Sequence, residues 1–373
     1  MRWLAIALVT LAAVAAFGLD RLPGEMRDFE VYWTAAARAL QAEPLYRITD
    51  GHYQFKYLPA FAVLTAPAAL VPLVLAKNIW FVLSVALLVW LVWLALAILP
   101  QRRRPVWWLA LVIVVAMAKF YGHELVLGQV NILFGVLVTG ALLSLTRRQD
   151  TRAAALVVAA VVVKPYAVLF LPWIAVARGS RALVTAGVLT AAVLALPAVL
   201  YGVSGSIELH RQWWVTVTES TTPNLTNDDN VSVAGFAAKW LGTGPAAAAV
   251  TLALTAALLV IAAGVVLRRR GMERPEALEG ALLLTIIPLV SPQGWDYVFL
   301  IATPAVALFA NYDDRLPATL RWTAWIAVAT IGLSLFDLMG RERYAAFMSW
   351  SILTLCFLVL VTALAALRAR RVA

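Results

Sequence analysis

The chain is poor in charge, cysteine and histidine. Only 13% of its 373 residues are charged and 63% are hydrophobic, whereas a soluble domain carries about 25% charged residues. This balance excludes a water-soluble protein and predicts an all-α, polytopic membrane protein. The single cysteine, Cys356, cannot form an intramolecular disulfide. Three histidines are too few for a histidine cluster, so we assign no metal ligands and no cofactor, while metal dependence stays open.

What the chain has in abundance is long hydrophobic runs. A membrane-spanning helix needs about 20 apolar residues, and fewer where it is buried in protein. We read the first run as an uncleaved anchor, because no small-x-small cleavage site follows it, and all 373 residues as one transmembrane domain. The runs predict about twelve spans, several of them short and in hairpins: 3–19, 78–99, 105–118, 131–146, 153–163, 166–177, 182–201, 245–267, 279–290, 297–310, 318–336 and 345–367.

The basic residues are explained by topology rather than by nucleic acid, despite a net charge of +10. Cytoplasmic loops of membrane proteins are rich in lysine and arginine, and the arginine clusters fall on one side when the N-terminus is cytoplasmic. This predicts a bacterial inner (plasma) membrane protein with both termini in the cytoplasm. Exterior loops of about 20–77 and 202–244 would carry juxtamembrane helices. Segment 58–76 is read as non-spanning, because its three prolines interrupt helices.

Uncommon polar side chains gather at the exterior ends of the predicted spans. Ionisable residues at membrane depth are costly and are functional candidates. Asp28 follows the first span and is a candidate general base, with a helix N-cap as the alternative. Lys164 is suited to binding phosphate, with snorkelling as the alternative, and Arg211 is a second phosphate candidate. Candidate substrate-binding residues are Glu30, Tyr57, His123, Gln129, Asn131, Asn230, Trp295, Asp296 and Tyr297.

Short motifs follow one another along almost the whole chain. In this order they resemble those of the GT-C membrane glycosyltransferases, and within them glycosyltransferase family 87. That family includes polyprenol-phosphate-mannose-dependent mannosyltransferases. The motifs are DFEVYW at 28–33, LY at 45–46, FKYLP at 55–59, GQVN at 128–131, KP at 164–165, NVSVAG at 230–235 and SPQGW at 291–295.

The resemblance implies a specific reaction. A sugar would pass, with inversion, from a polyprenyl-phosphate donor to a lipid or glycan acceptor of the cell envelope, at the extracytoplasmic face. Asp28 would be the base and Lys164 would contact the lipid phosphate. Tyr297 stands near the place where family members often carry a histidine, so no histidine role is transferred, and mannose is the default expectation for the sugar. The alternative is a transporter or flippase of lipid-linked sugars, which the uncharged run 78–99 disfavours.

Overall fold

The computed structural model describes residues 24–220 and 222–371, so the predicted first span, 3–19, lies outside the described residues. Within those residues the chain is helical and contains no β-strand; one isolated bridge joins Asn230 and Trp295. The prediction of an all-α protein is therefore confirmed.

The chain forms two compact units. The first contains the described part of Met1–Leu91, together with His123–Ser144 and Arg148–Ser220. The helices that lie in it, wholly or in part, are α1 (Arg27–Leu40), α2 (Pro59–Thr65), α3 (Leu73–Ala97), α4 (Val106–Leu127), α5 (Asn131–Thr146), α6 (Asp150–Val163), α7 (Phe170–Arg178), α8 (Ser180–Ala195) and α9 (Ala198–Glu219), with 3₁₀ turns at Ile48–Tyr53, Ala66–Leu70 and Pro165–Leu169.

The second unit contains Val92–Gly122, Leu145–Arg147 and the described part of Thr221–Ala373. It contains the end of α3, the first part of α4, the end of α5 and, complete, the described helices after α9. These are α10 (Val233–Leu241), α11 (Pro245–Leu267), α12 (Pro275–Val290), α13 (Thr303–Tyr312), α14 (Ala318–Leu333), α15 (Phe336–Met339), α16 (Arg341–Ser349) and α17 (Ile352–Ala369), with 3₁₀ turns at Thr222–Asn224, Asp296–Ala302 and Asp313–Arg315.

Four described helices are long and apolar enough to cross a membrane: α3, α4, α11 and α17. Helices α8 and α9 pass the same test as a pair, although the chain bends by 92° between them. Shorter apolar helices include α5 and α14. These helices support a membrane protein, while the number of about twelve spans stays a prediction.

Several predicted spans differ from the observed helices. The runs 166–177 and 297–310 begin as 3₁₀ turns and become α-helical only at Phe170 and Thr303. The run 345–367 is interrupted between Ser349, where α16 ends, and Ile352, where α17 begins, because Ser351 has a left-handed φ of 53°.

The run 105–118 continues as one helix to Leu127, because its polar residues find partners: the Tyr121 hydroxyl lies 2.7 Å from that of Thr303. The run 182–201 breaks at Leu196 and Pro197, since proline cannot donate a helical hydrogen bond. Segment 58–76 holds only α2, a 3₁₀ turn and the start of α3, which agrees with a non-spanning element.

Candidate functional site

The link between α4 and α5 is a tight turn that presents an amide side chain. Helix α4 ends at Leu127, and the backbone N–H groups of Gly128 and Gln129 both donate to the Glu124 carbonyl, at 3.0 and 3.1 Å. Gly128 has a φ of +69°, a left-handed conformation that glycine adopts without steric cost. The turn therefore fixes the position of Gln129.

Glu124 joins the end of α4 to the start of α5. Its carboxylate accepts from the Asn131 side chain at 2.9 Å and from the Ile132 backbone N–H at 3.0 Å. A carboxylate satisfies the free N–H groups at a helix N-terminus and interacts favourably with the helix dipole. Asn131 is fully buried in this contact, and its contact with substrate stays a prediction.

Helix α1 is docked closely onto the same turn. Its apolar residues recur every three or four positions, and the face formed by Phe29, Tyr32 and the following alanines is buried. Phe29 stacks on Trp80 with ring centroids 5.8 Å apart, and the Trp80 indole donates to the Gly128 carbonyl at 3.0 Å. Asp28 lies in the first turn of this helix, so the docking sets where its carboxylate lies.

A hydrogen-bond network links Asp28 to Lys164. The Gln129 amide donates to Asp28 Oδ2 at 2.6 Å. Gln129 Oε1 accepts from the hydroxyls of Tyr32 and Tyr57, at 2.8 and 3.2 Å, and the two hydroxyl oxygens lie 2.6 Å apart. Lys164 Nζ donates to the Tyr57 hydroxyl at 3.0 Å and lies 4.8 Å from the centre of its ring. One assignment of donors runs continuously from the ammonium to the carboxylate.

The proline that follows Lys164 determines the backbone conformation of this lysine. A residue before proline is disfavoured in the helical conformation, and Lys164 is extended, with φ −144° and ψ 110°, between α6 and the 3₁₀ turn Pro165–Leu169. The lysine thus lies at a vertex, as the sequence predicts. Burial lowers the pKa of Lys164, while the charges of Glu124 and Asp28 raise it.

Asp28 has one oxygen held and one free. Its side chain is half-buried, and no donor among the described residues reaches Oδ1. Burial raises the pKa of Asp28, against the opposing effects of the Gln129 hydrogen bond and the Lys164 charge. A higher pKa makes a carboxylate a stronger base, and the free oxygen gives a hydroxyl a place to bind.

Glu30 and Arg211, also predicted in the first unit, bind partners outside this network. Glu30 forms ion pairs with Lys77 at 2.6 Å and Arg27 at 3.3 Å. The Arg211 guanidinium is exposed and binds both oxygens of Glu208, at 2.9 and 3.0 Å. His123 is half-buried, and its positive charge lowers the pKa of Asp28.

Four predicted substrate-binding residues lie in the second unit, where the loop around Asn230 contacts the loop at 291–295. The Asn230 amide donates to the carbonyls of Asn224 and Pro292, at 3.0 and 2.8 Å, and it is fully buried. Trp295 pairs with it in the isolated bridge. Asp296 is buried 3.1 Å from Lys119 Nζ and accepts from the Tyr297 backbone N–H at 2.7 Å. Their contacts with substrate stay predictions.

Two residues that shape the site, Tyr32 and Glu124, have no predicted role from the sequence alone. Tyr32 follows Asp28 by four residues, a spacing that puts both on one helix face. Glu124 precedes Asn131 by seven residues, across a turn whose shape only the structure gives. The helical spacing is the signal that could have identified Tyr32.

The fold and this network define a helical membrane protein with a candidate acid–base site. A family model for glycosyltransferase family 87 matches residues 55–292. This is well over half of the chain, which therefore belongs to that family and is a glycosyltransferase. The match includes Tyr57, Gln129 and Lys164, and Asp28 precedes it. No curated protein and no solved structure matched the chain.

Proposed function

We propose that the chain transfers a sugar from a polyprenyl-phosphate donor to an acceptor hydroxyl at the extracytoplasmic membrane face, with inversion. The acceptor is a lipid or a glycan, and mannose is the sugar expected from the family resemblance. The observation that carries the proposal is the pairing in one network of a half-buried carboxylate with a free oxygen and a lysine.

Asp28 acts as the general base. The acceptor hydroxyl donates to Oδ1, the oxygen without a donor among the described residues. As the acceptor oxygen bonds to the anomeric carbon, its proton passes to Asp28 and the bond from that carbon to the phosphate oxygen breaks. The electron pair of the broken bond leaves with the polyprenyl phosphate. A single displacement of this kind inverts the anomeric carbon.

Lys164 neutralises the phosphate. Its contact with Tyr57 uses one of three N–H donors, and no other side chain among the described residues accepts from the ammonium. A positive group fixed in advance stabilises charge as it develops on the leaving group. Because Arg211 is already bound to Glu208, the phosphate role rests on Lys164.

The test is sugar transfer by purified full-length protein from a labelled polyprenyl-phosphate sugar to a membrane-lipid acceptor. We expect Asp28→Asn, which keeps the shape and can still accept from Gln129, to lower kcat by about 10²- to 10⁴-fold. Glu25→Gln is the matched control, because Glu25 is an exposed acid shortly before Asp28, and its turnover should equal that of the wild type.

Wild-type turnover by Asp28→Asn, with an unchanged unfolding temperature, would remove the base from the mechanism. Passage of labelled donor across vesicle membranes, equal in wild type and Asp28→Asn and without sugar transfer, would favour a flippase instead.

A further inference from the structure

Helices α6 and α8 start at a common depression. The two helices pack side by side through a small apolar core that includes Ala154, Val158 and Ala186. Their first turns, with the residues just before α6, line a cavity of about 430 Å³. The lining residues are Arg148, Gln149, Asp150, Thr151, Arg152 and Arg181.

The depression is strongly cationic. Arg148, Arg152 and Arg181 have no side-chain hydrogen bond or ion pair with any described residue. Asp150 is the only acid in the lining, and Arg178 Nε lies 3.4 Å from its carboxylate. The charge of Asp150 is therefore already offset, and the three arginines give the cavity an unbalanced positive charge.

The backbone adds to this charge. The N-cap residues of α6 and α8, Gln149 and Gly179, give these helices no side-chain cap. The first N–H groups of a helix lack partners within it, and the N-terminus carries a partial positive charge that attracts phosphate groups. Two such termini and three arginines converge on one cavity.

The surface next to the depression is apolar. Leu183, Val184 and Val188, shortly after Arg181 on α8, are 42%, 65% and 65% exposed. Large apolar side chains exposed on a membrane protein face acyl chains. The cavity therefore borders a lipid-facing surface, which favours a phosphate that belongs to a lipid over a phosphate that arrives from water.

We propose that this depression binds the phosphate headgroup of an anionic phospholipid. The predicted topology puts it at the cytoplasmic leaflet, where basic pockets between helices bind such headgroups. The site goes beyond the proposed transferase function and does not depend on it.

The experiment compares lipid binding by full-length variants in detergent, using native mass spectrometry with phosphatidylglycerol and, separately, phosphatidylcholine. The variants are Arg152→Gln/Arg181→Gln, Arg152→Lys/Arg181→Lys and the control Arg147→Gln. Arg147 is exposed in the same loop but does not line the cavity. Inorganic phosphate and glycerol 3-phosphate serve as soluble competitors.

We expect wild type, the control and the lysine variant to hold one phosphatidylglycerol preferentially over phosphatidylcholine. Each arginine removed should weaken this binding about fivefold, and the glutamine pair about 25-fold. Equal binding by wild type and the glutamine pair would overturn the proposal, as would equal affinity for the two lipids. Displacement of the lipid by millimolar inorganic phosphate would assign the cavity to a soluble anion instead. If the glutamine pair fails to fold, lipid preference and competition in the wild type decide the question.

Discussion

Replacing Gly128 by alanine should displace the helix that carries Asp28. A Cβ atom at this position would lie 2.8 Å from Phe29 Cβ and 2.9 Å from Met26 Cε. Carbon atoms in favourable contact are about 3.5–4.0 Å apart, and Cβ of Phe29 cannot rotate away because it is fixed to the backbone. Helix α1 must therefore move by roughly 1 Å.

The size of the effect follows from that displacement. Overpacking costs about 1–3 kcal/mol, and a left-handed conformation costs a residue with a side chain about 1–2 kcal/mol more. We expect Gly128→Ala to lose about 2–5 kcal/mol of stability in all. A misplacement of about 1 Å in a catalytic group costs about 10²-fold in rate, so kcat should fall by about that factor.

Substitutions at two other glycines distinguish the effect of the left-handed conformation from the effect of the steric clash. Gly202 also has a positive φ, +69°, but a Cβ there meets nothing within 4 Å, so Gly202→Ala should lose stability and keep its kcat. Gly187 lies within α8 with open space around it, and Gly187→Ala should gain about 0.5–1 kcal/mol.

The assays are thermal unfolding in detergent and steady-state sugar transfer, measured for the same preparations. The reasoning is refuted if Gly128→Ala keeps its kcat, or if Gly202→Ala loses as much activity.

Two further predictions concern pH and the second unit. Asp28 must be deprotonated to act as a base, and burial raises its pKa; kcat/KM should therefore fall on the acid side with a midpoint above the ordinary aspartate value of about 3.9. Lys164 must stay protonated, and burial lowers its pKa, so the alkaline limb should move down from about 10.4, and Lys164→Arg should move it back up. A pH–rate profile measures both limbs, and an acid limb at or below the ordinary value would contradict the assignment. Asn230→Asp should destabilise the protein in denaturant unfolding, because a carboxylate oxygen would replace the amide N–H groups that donate to two carbonyls; an unfavourable buried contact of this kind costs about 1–3 kcal/mol. Unfolding identical to that of the wild type would show that these bonds contribute nothing.

Composition predicts the fold class because few backbone structures can cross the apolar interior of a membrane. A chain with unsatisfied backbone groups cannot cross a bilayer, so long apolar runs predict helices, and α5 and α11 begin and end at the predicted residues, 131–146 and 245–267. Helix α4 is longer than predicted, because the polar residues that follow position 118 indicate the end of a membrane span. Its polar side chains instead form hydrogen bonds with residues distant in sequence, as Tyr121 does with Thr303. Such pairs cannot be predicted from the sequence alone.

Only those site residues whose polarity is unusual for their position could be predicted from the sequence. Asp28, Gln129 and Lys164 carry unusual polarity for their surroundings, and the structure joins them in one network. Tyr32 and Glu124 contribute through geometry. Tyrosine is common at membrane interfaces, so polarity alone does not distinguish Tyr32, and the role of Glu124 depends on the turn at Gly128.

In the proposed reaction, the hydrogen bond from Gln129 to Asp28 would also restrict which alcohol can react. With Oδ2 held at 2.6 Å, the carboxylate cannot turn freely, and Oδ1 is the oxygen that keeps both lone pairs for an incoming hydroxyl. On a sugar or another polyol, several hydroxyls of similar acidity compete, and only the one that approaches Oδ1 can lose its proton. We expect regioselectivity to be set by the orientation of a single carboxylate, so that one linkage isomer dominates the product.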